Sequence, residues 1–289
     1  MAQQLLGLPV AKALTERVAS RVKALADQGV VPTLAIVRVG EREDDLAYER
    51  GAMKRCDAAG IAVRSFVLPS TCGDAELLDV IGRINEDAGI HGCLLFRPLP
   101  RSLDEQAACA ALDPAKDVDC MTESSLFGVM ANKAVGFPPC TAEACVALLD
   151  YYGIELDGAS VAVVGRSLVI GKPVSLMLQA RNATVTMCHT HTKDLDKVCR
   201  AADVLVVAAG HPRTIGAGAV RDGQVVVDVG INWDEQAGKL CGDVAYDEVE
   251  PIVAGITPVP RGVGSVTTSV LAKHVVDAAE RQLDEGALR

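Results

Sequence analysis

The feature that most constrains this chain is a repeated alternation of short aliphatic runs with helix-patterned segments. Val10, Leu14, Val18, Val22 and Leu25 recur at helical spacing within residues 10–29, and Gly29 supplies a stop. "TLAIVRVG" then reads as a buried strand, residues 44–59 as a helix ended by Gly60, and "IAVRSFVLP" as a second strand. "DAELLDVIGRINED" reads as a helix with Asp74 as its N-cap, and "IHGCLLFRPLP" as a third strand. Such alternation builds parallel sheets with right-handed crossovers. Aromatic residues are only 3% of the chain, so the core rests on Val, Leu, Ile and Ala, as buried parallel strands require.

The pattern restarts after an irregular stretch, residues 101–140, which holds the helix "DEQAACAAL" and then Gly and Pro. A helix "TAEACVALLDYYG" leads into strand "SVAVVG", helix "KPVSLMLQAR", strand "ATVTMCH", helix "KDLDKVCRAA", and strands "DVLVVAAG" and "GQVVVDVGIN". A Gly/Pro loop and a long helix close the chain. The expected fold is therefore α/β with two domains, an N-terminal α/β substrate domain and a doubly wound, Rossmann-like dinucleotide-binding domain. The boundaries are placed at 1–139 and 140–265, with the terminal helix 266–289 packing back on the first domain.

Charge and cysteine usage narrow the function. The net charge is -10 and no basic run occurs, which argues against nucleic acid. No apolar run approaches the roughly 18 residues that a membrane span needs. Ten scattered cysteines without a CxxC pair or a secretory leader read as reduced thiols of a cytoplasmic protein. "CHTH", Cys188 to His191, has no second ligand cluster behind it and reads as a strand-end loop, so no metal is expected.

"VVGRSLVIGKP" is the segment that carries chemistry. Gly165 and Gly171 lie between a β-branched strand and a helix N-terminus, where amide groups and the helix dipole collect anions. The spacing is not G-x-G-x-x-G, and Ser167 stands at the middle position. A reader of the ribose 2′-hydroxyl would place an acid at the end of the next strand, but that strand ends "MCHTHT". Arg166 instead offers a guanidinium to a 2′-phosphate, so NADP is expected in preference to NAD. A plain structural turn with a solvated arginine is the competing reading.

Together, "PPCTAEA", "VVGRSLVIGKP", "ATVTMCHTHT", "DVGIN" and "GITPVPRGVGSVTTSVL" resemble the bifunctional methylenetetrahydrofolate dehydrogenase/cyclohydrolase family, and "GCLLFRPLP" and "PAKDVDCMT" fall in its order. The resemblance covers nearly the whole chain. It implies a folate-binding first domain, an NADP-binding second domain and a cleft between them, in a cytosolic homodimer. It also implies oxidation of 5,10-methylenetetrahydrofolate by hydride transfer, then hydrolysis of the methenyl product. Cofactor contacts carry over to Gly165, Arg166, Ser167 and Ile231, with Thr190 in place of a serine.

The first domain departs from that pattern where proton chemistry resides. Tyr48, which would stack on the folate, is present, but the family's lysine four residues on is Ala52. Lys54 lies at i+6, about 240° around the helix from Tyr48 instead of the roughly 40° of an i+4 residue, and is a poor substitute base. The family's glutamine at the strand end is Phe96, followed by Arg97. In the Asp-Val-Asp-Gly motif Asp117, Val118 and Asp119 remain while Gly is Cys120; Asp119 matches the carboxylate that meets the pterin. The Pro-Gly-Gly-Val-Gly-Pro loop reads Pro260-Arg261-Gly262-Val263-Gly264-Ser265, and Arg261 adds a cation for a carboxylate tail. Hydride transfer needs placement, whereas hydrolysis needs an activated water and proton handling. The expectation is an NADP-dependent methylenetetrahydrofolate dehydrogenase with weak or lost cyclohydrolase activity. A paralogue acting on another small molecule and a dinucleotide-binding pseudoenzyme with a regulatory role remain open on the sequence.

Overall fold

The computed structural model describes residues 2–235 and 237–287. The chain opens with strand β1 (Gln3–Gln4) and helix α1 (Gly7–Ala26). It divides into two compact units: Ala13–Cys140 with the chain from Thr268 onward, and the chain up to Lys12 with Thr141–Thr267.

The first unit holds a three-stranded parallel sheet of β2 (Thr33–Val39), β3 (Ala62–Leu68) and β4 (Gly92–Leu95), in the order β3-β2-β4. Helix α2 (Glu43–Ala59) crosses from β2 to β3, and α3 (Asp74–Glu86) from β3 to β4. β2 is buried along its whole length, so its one charged residue needs a partner; Arg38 Nε donates to Glu49 Oε2 at 2.9 Å. The helical stripe expected in α1 is the buried one: Val10, Leu14, Val18, Val22 and Leu25 are all in the core. Gly60 closes α2 at φ 78, a left-handed value that glycine adopts without Cβ strain.

Asp74 is not the N-cap of α3. Gly73 is, and the Asp74 carboxylate instead accepts from the Asp104 amide at 2.7 Å, tying α3 to the start of α4 (Glu105–Ala111). The stretch read as irregular contains a further helix, α5 (Glu123–Ala131). Thr122 caps it by accepting from Ser125 N, and Asn132 at φ 50 ends it. Lys116, in the short 3-10 turn before it, is buried with its ammonium donating to the carbonyls of Ile84, Asn85 and Asp87 at the end of α3.

Helix α6 (Cys140–Tyr151) leads into the second unit. Its strands are β5 (Ser160–Val164), β6 (Thr184–Cys188), β7 (Val204–Val207) and β8 (Val225–Asp228), with α7 (Gly171–Gln179) and α8 (Leu195–Ala201) as crossovers. An antiparallel ribbon, β9 (Asn232–Asp234) with β10 (Lys239–Cys241), follows, then α9 (Tyr246–Val249) and β11 (Gly255–Ile256). The parallel sheet runs β1-β11-β8-β7-β5-β6. The chain leaves β5 to one side for β6 and returns on the other for β7, and open parallel sheets bind ligands at the carboxyl ends of strands at such a reversal. β1, β11 and the ribbon were not expected. The terminal helix is α10 (Thr267–Ala287), and its Val275 lies where a side chain on Gly92 of β4 would stand.

Candidate functional site

The loop after β5 sits at the sheet reversal. The Gly165 amide donates to the Cys188 carbonyl at 2.9 Å, so the exits of β5 and β6 are side by side. Gly165 has φ 134, and a Cβ there would stand 2.2 Å from the Ala208 carbonyl oxygen at the exit of β7. A Cβ on Gly171 would stand 2.3 Å from the Gly165 carbonyl oxygen. Both obstacles are backbone, so both glycines are demanded by the packing of loop on strand and helix on loop. Ser167 Oγ accepts from the amides of Ile170 at 3.1 Å and Gly171 at 3.4 Å. Two donors of the first turn of α7 are therefore satisfied from within the loop, which the sequence reading of an open helix N-terminus did not anticipate.

Arg166 and Thr190 are exposed at these neighbouring strand exits, and the Arg166 guanidinium has no ion-pair partner among the described residues. The loop after β6 is organised by its own side chains: His189 N donates to Thr192 Oγ1 at 2.8 Å and His191 N to His189 Nδ1 at 3.1 Å. No His/Cys/Asp/Glu group among the described residues is arranged to hold a metal ion.

A second feature of this unit is a cavity of about 250 Å³ lined by Asp228 to Ile231, Leu240 and Pro258 to Ser265. Pro260, Arg261, Gly262 and Ile231, the last 66% exposed, are among the residues that line it. A pair of buried carboxylates braces this wall. Asp228 Oδ1 accepts from the amides of Gly230 and Asp243, each at 3.0 Å, and its Oδ2 from Val244 N at 3.0 Å. Asp243 accepts from Gly210 N and Asn232 Nδ2, each at 2.8 Å. Burial pushes the Asp228 carboxyl up to about 7 against these amides, and the Asp243 charge adds to the rise. The close approach leaves no room for a Cβ on Gly230 or Gly242. The sequence reading missed this brace; its trace in the sequence is an Asp with a Gly close by at two points 15 positions apart, "DVG" at 228–230 and "GDV" at 242–244.

In the first unit Tyr48 and Phe96 come together, ring centroids 5.8 Å apart and planes at 86°, the edge-to-face arrangement aromatic quadrupoles favour. Ala52, one turn on from Tyr48, is fully buried, while Lys54 is exposed. Successive positions are about 100° apart, so Lys54 is turned away from the Tyr48–Ala52 face. Asp119 Oδ1 accepts from Cys140 N at 3.0 Å. Burial raises the Asp119 carboxyl, while the Cys140 amide and thiol, His274 and Arg97 pull it back. Burial, then the Asp119 charge, lifts the Tyr48 hydroxyl well above its usual range.

Asp117, two residues earlier, is a structural carboxylate. It is wholly buried and accepts from Met121 N, Thr122 N, Thr122 Oγ1 and Ser125 Oγ at 2.5–2.9 Å. Cys120 holds φ 56, and burial, with Asp117 and Asp119 nearby, pushes its thiol up to about 12. His274 Nδ1, on α10, lies 2.8 Å from the Val118 carbonyl and 3.6 Å from Cys140 Sγ, a support behind Asp119 that spacing alone did not show.

Against this geometry stand the comparisons with known proteins. Residues 5–119 match the family model described as the tetrahydrofolate dehydrogenase/cyclohydrolase catalytic domain, and residues 139–283 that family's NAD(P)-binding domain. The chain belongs to the tetrahydrofolate dehydrogenase/cyclohydrolase family. It is 49% identical over 276 residues to the bifunctional protein FolD of Clostridioides difficile, covering 96% of each chain. It is also 49% identical over 281 residues to the FolD of Carboxydothermus hydrogenoformans, covering 97% of this chain and 98% of that one. Among solved structures, the FolD of Campylobacter jejuni aligns with a TM-score of 0.93 at 33% identity, over 97% of this chain and 99% of that one. The Trypanosoma brucei FolD, complexed with NADP cofactor and inhibitor, aligns at 0.90 and 34%, over 98% of each. The paralogue and pseudoenzyme readings find no support in these matches. No helix among the described residues is long and apolar enough to cross a membrane.

Proposed function

We propose that this protein oxidises 5,10-methylenetetrahydrofolate to 5,10-methenyltetrahydrofolate with NADP, and that its hydrolysis of the methenyl product is weak. The unit built on Thr141–Thr267 takes the dinucleotide, and the unit built on Ala13–Cys140 with α10 takes the folate. The NADP assignment rests on fit: two glycines that backbone contacts demand, the exposed Arg166 for a 2′-phosphate, and Thr190 at the neighbouring strand exit. NADP, when bound, supplies the hydride acceptor.

The chain's own residues do the placing. Tyr48, edge-on to Phe96, offers a ring face to a flat heterocycle, and the Asp119 carboxylate offers an acceptor to its N–H groups. The Tyr48 hydroxyl stays protonated at neutral pH, so it donates a hydrogen bond and does not serve as a base.

The observation that carries the division of labour is the pairing of buried Ala52 and Phe96 about Tyr48, with Lys54 exposed. Hydride transfer asks for apposed carbons, which needs no acid or base from these positions. Attack of water on the methenyl bridge asks for a proton acceptor at that point, and neither side chain provides one. The relatives' name, bifunctional protein, speaks for both activities in the family; these two positions speak for a reduced second one here. A cytoplasmic homodimer is the working form we assign, tested by sedimentation.

Purified protein with NADP and methylenetetrahydrofolate should form NADPH at a rate proportional to enzyme. Absence of NADPH formation in a folded sample that binds NADP overturns the reading.

A further inference from the structure

Arg261 stands in a backbone conformation that suits glycine. Its φ is 88, on the glycine side of the left-handed region, where a Cβ crowds its own carbonyl. Five other described non-glycine residues have positive φ. Asn132, Asn182 and Asp194 are of the types that tolerate it, and Arg213 pairs with Asp234 at 2.5 Å. Cys120 is partly buried beside Asp119, whereas Arg261 is exposed. Its guanidinium has no hydrogen-bond or ion-pair partner among the described residues.

The conformation is enforced by what flanks it. The Arg261 carbonyl accepts from Gly7 N at 2.8 Å. A Cβ on Gly7 would strike the Gly262 carbonyl, and one on Gly262 would come within 2.6 Å of the Pro258 carbonyl oxygen and 2.9 Å of Thr257 Cβ. The loop is thus clamped between the N-terminal segment and the exit of β11, and the residue at 261 must accept the φ it is given. A strained conformation held this firmly, and filled by a long cation instead of the glycine that would fit freely, points to a use for the cation.

We propose that Arg261 binds an anionic group, a carboxylate or a phosphate, on the ligand that occupies the cavity lined by Asp228 to Ile231 and the 258–265 loop. This rests on the dehydrogenase reading, which offers two sources for that chemistry: the glutamate carboxylates of the folate and the phosphates of the cofactor. Arg261 contributes a charge-assisted contact at the cavity rim and costs the loop conformational strain.

Two variants separate charge from strain. Arg261→Gly removes both, and Arg261→Gln removes the charge alone. Arg261→Gly should melt about 2–4 °C above wild type and Arg261→Gln within about 1 °C of it. In both, KM should rise about fivefold at low salt for the ligand that carries the anion, and the difference should shrink in high salt. If the source is the folate tail, KM for methylenetetrahydrofolate rises and the advantage of its triglutamate over its monoglutamate is lost, with KM for NADP unchanged. If the source is the cofactor, KM for NADP rises alone. Either result supports the proposal. It is overturned if both variants keep both KM values within twofold, or if only Arg261→Gly changes them. Should wild type show no turnover, the dehydrogenase reading fails on its own, and calorimetric titration of NADP and both folates into wild type and Arg261→Gln still decides this inference by the same fold-changes.

Discussion

Replacing Gly165 with alanine tests whether the loop after β5 is a cofactor cradle whose shape depends on one missing Cβ. The structure supplies a matched control in Gly158, in the same unit at φ 74, where an added Cβ meets nothing within 4 Å. Both substitutions carry the left-handed penalty, about 1–2 kcal/mol. At Gly165 the new methyl also stands 2.2 Å from a backbone carbonyl oxygen at the exit of β7, where ordinary contact begins near 3.4 Å. The loop must retreat by about 1 Å, at a further cost of about 1–3 kcal/mol for overpacking. Gly165→Ala should therefore melt about 5 °C below Gly158→Ala. A displacement of about 1 Å at a positioning loop costs on the order of a hundredfold in function, so NADP affinity should collapse in Gly165→Ala and be untouched in Gly158→Ala. Calorimetric titration of NADP into each variant, well below its melting point, reads the difference. If Gly165→Ala binds NADP within threefold of wild type, or melts with the control, the loop is not held by this contact and the cradle argument fails.

Other consequences follow from the remaining sites. Ala52→Lys with Phe96→Gln should raise methenyl hydrolysis at least tenfold while NADPH formation changes by less than that, read by separate assays of the two half-reactions. Asp117→Ala strands four hydrogen-bond donors in the interior and should cost about 3 kcal/mol or more in denaturant unfolding, with Thr122 losing its support as the α5 cap. Between pH 4 and about 7 the native Asp228 holds a proton that the unfolded chain has lost, so its contribution makes stability fall as pH rises through that window. Asp228→Asn should flatten the slope by up to about 1.4 kcal/mol per pH unit in pH-dependent unfolding. Asp119 is raised above the ordinary aspartate value, so KM for the folate should climb on acidification before pH falls to 3.8, and Asp119→Asn should remove that dependence.

Much of the fold was legible because its signals are local. The α1 stripe, the glycine stop at Gly60 and the largely aliphatic β2 each follow from spacing and residue type within one turn or strand. Helix α5 escaped because its pattern is not amphipathic: Phe127 and Met130 are 51% and 61% exposed, though Thr122 and Asn132 marked its ends. Strands β1 and β11 have two residues each, too few to show a period, and they exist through pairing across the chain. At the site, Gly165 and Gly171 announce themselves, since a turn between strand and helix asks for them. The Asp228–Asp243 brace and the His274–Cys140 support join residues 15 and 134 positions apart, and no spacing rule reaches that far. Ser167 shows the opposite failing: the residue was noticed, but that its hydroxyl would occupy the amides of its own helix depends on a rotamer the sequence does not state.

The central claim is that redox placement survives here without the proton carrier, and the fate of the methenyl product tests it most directly. With enzyme, NADP and methylenetetrahydrofolate in neutral, weakly buffered solution, NADPH and the methenyl chromophore are followed together. Both should rise in step, with the methenyl compound then decaying at least tenfold more slowly than it forms. NADPH rising while 10-formyltetrahydrofolate appears at the same rate, with no methenyl accumulation, would contradict it.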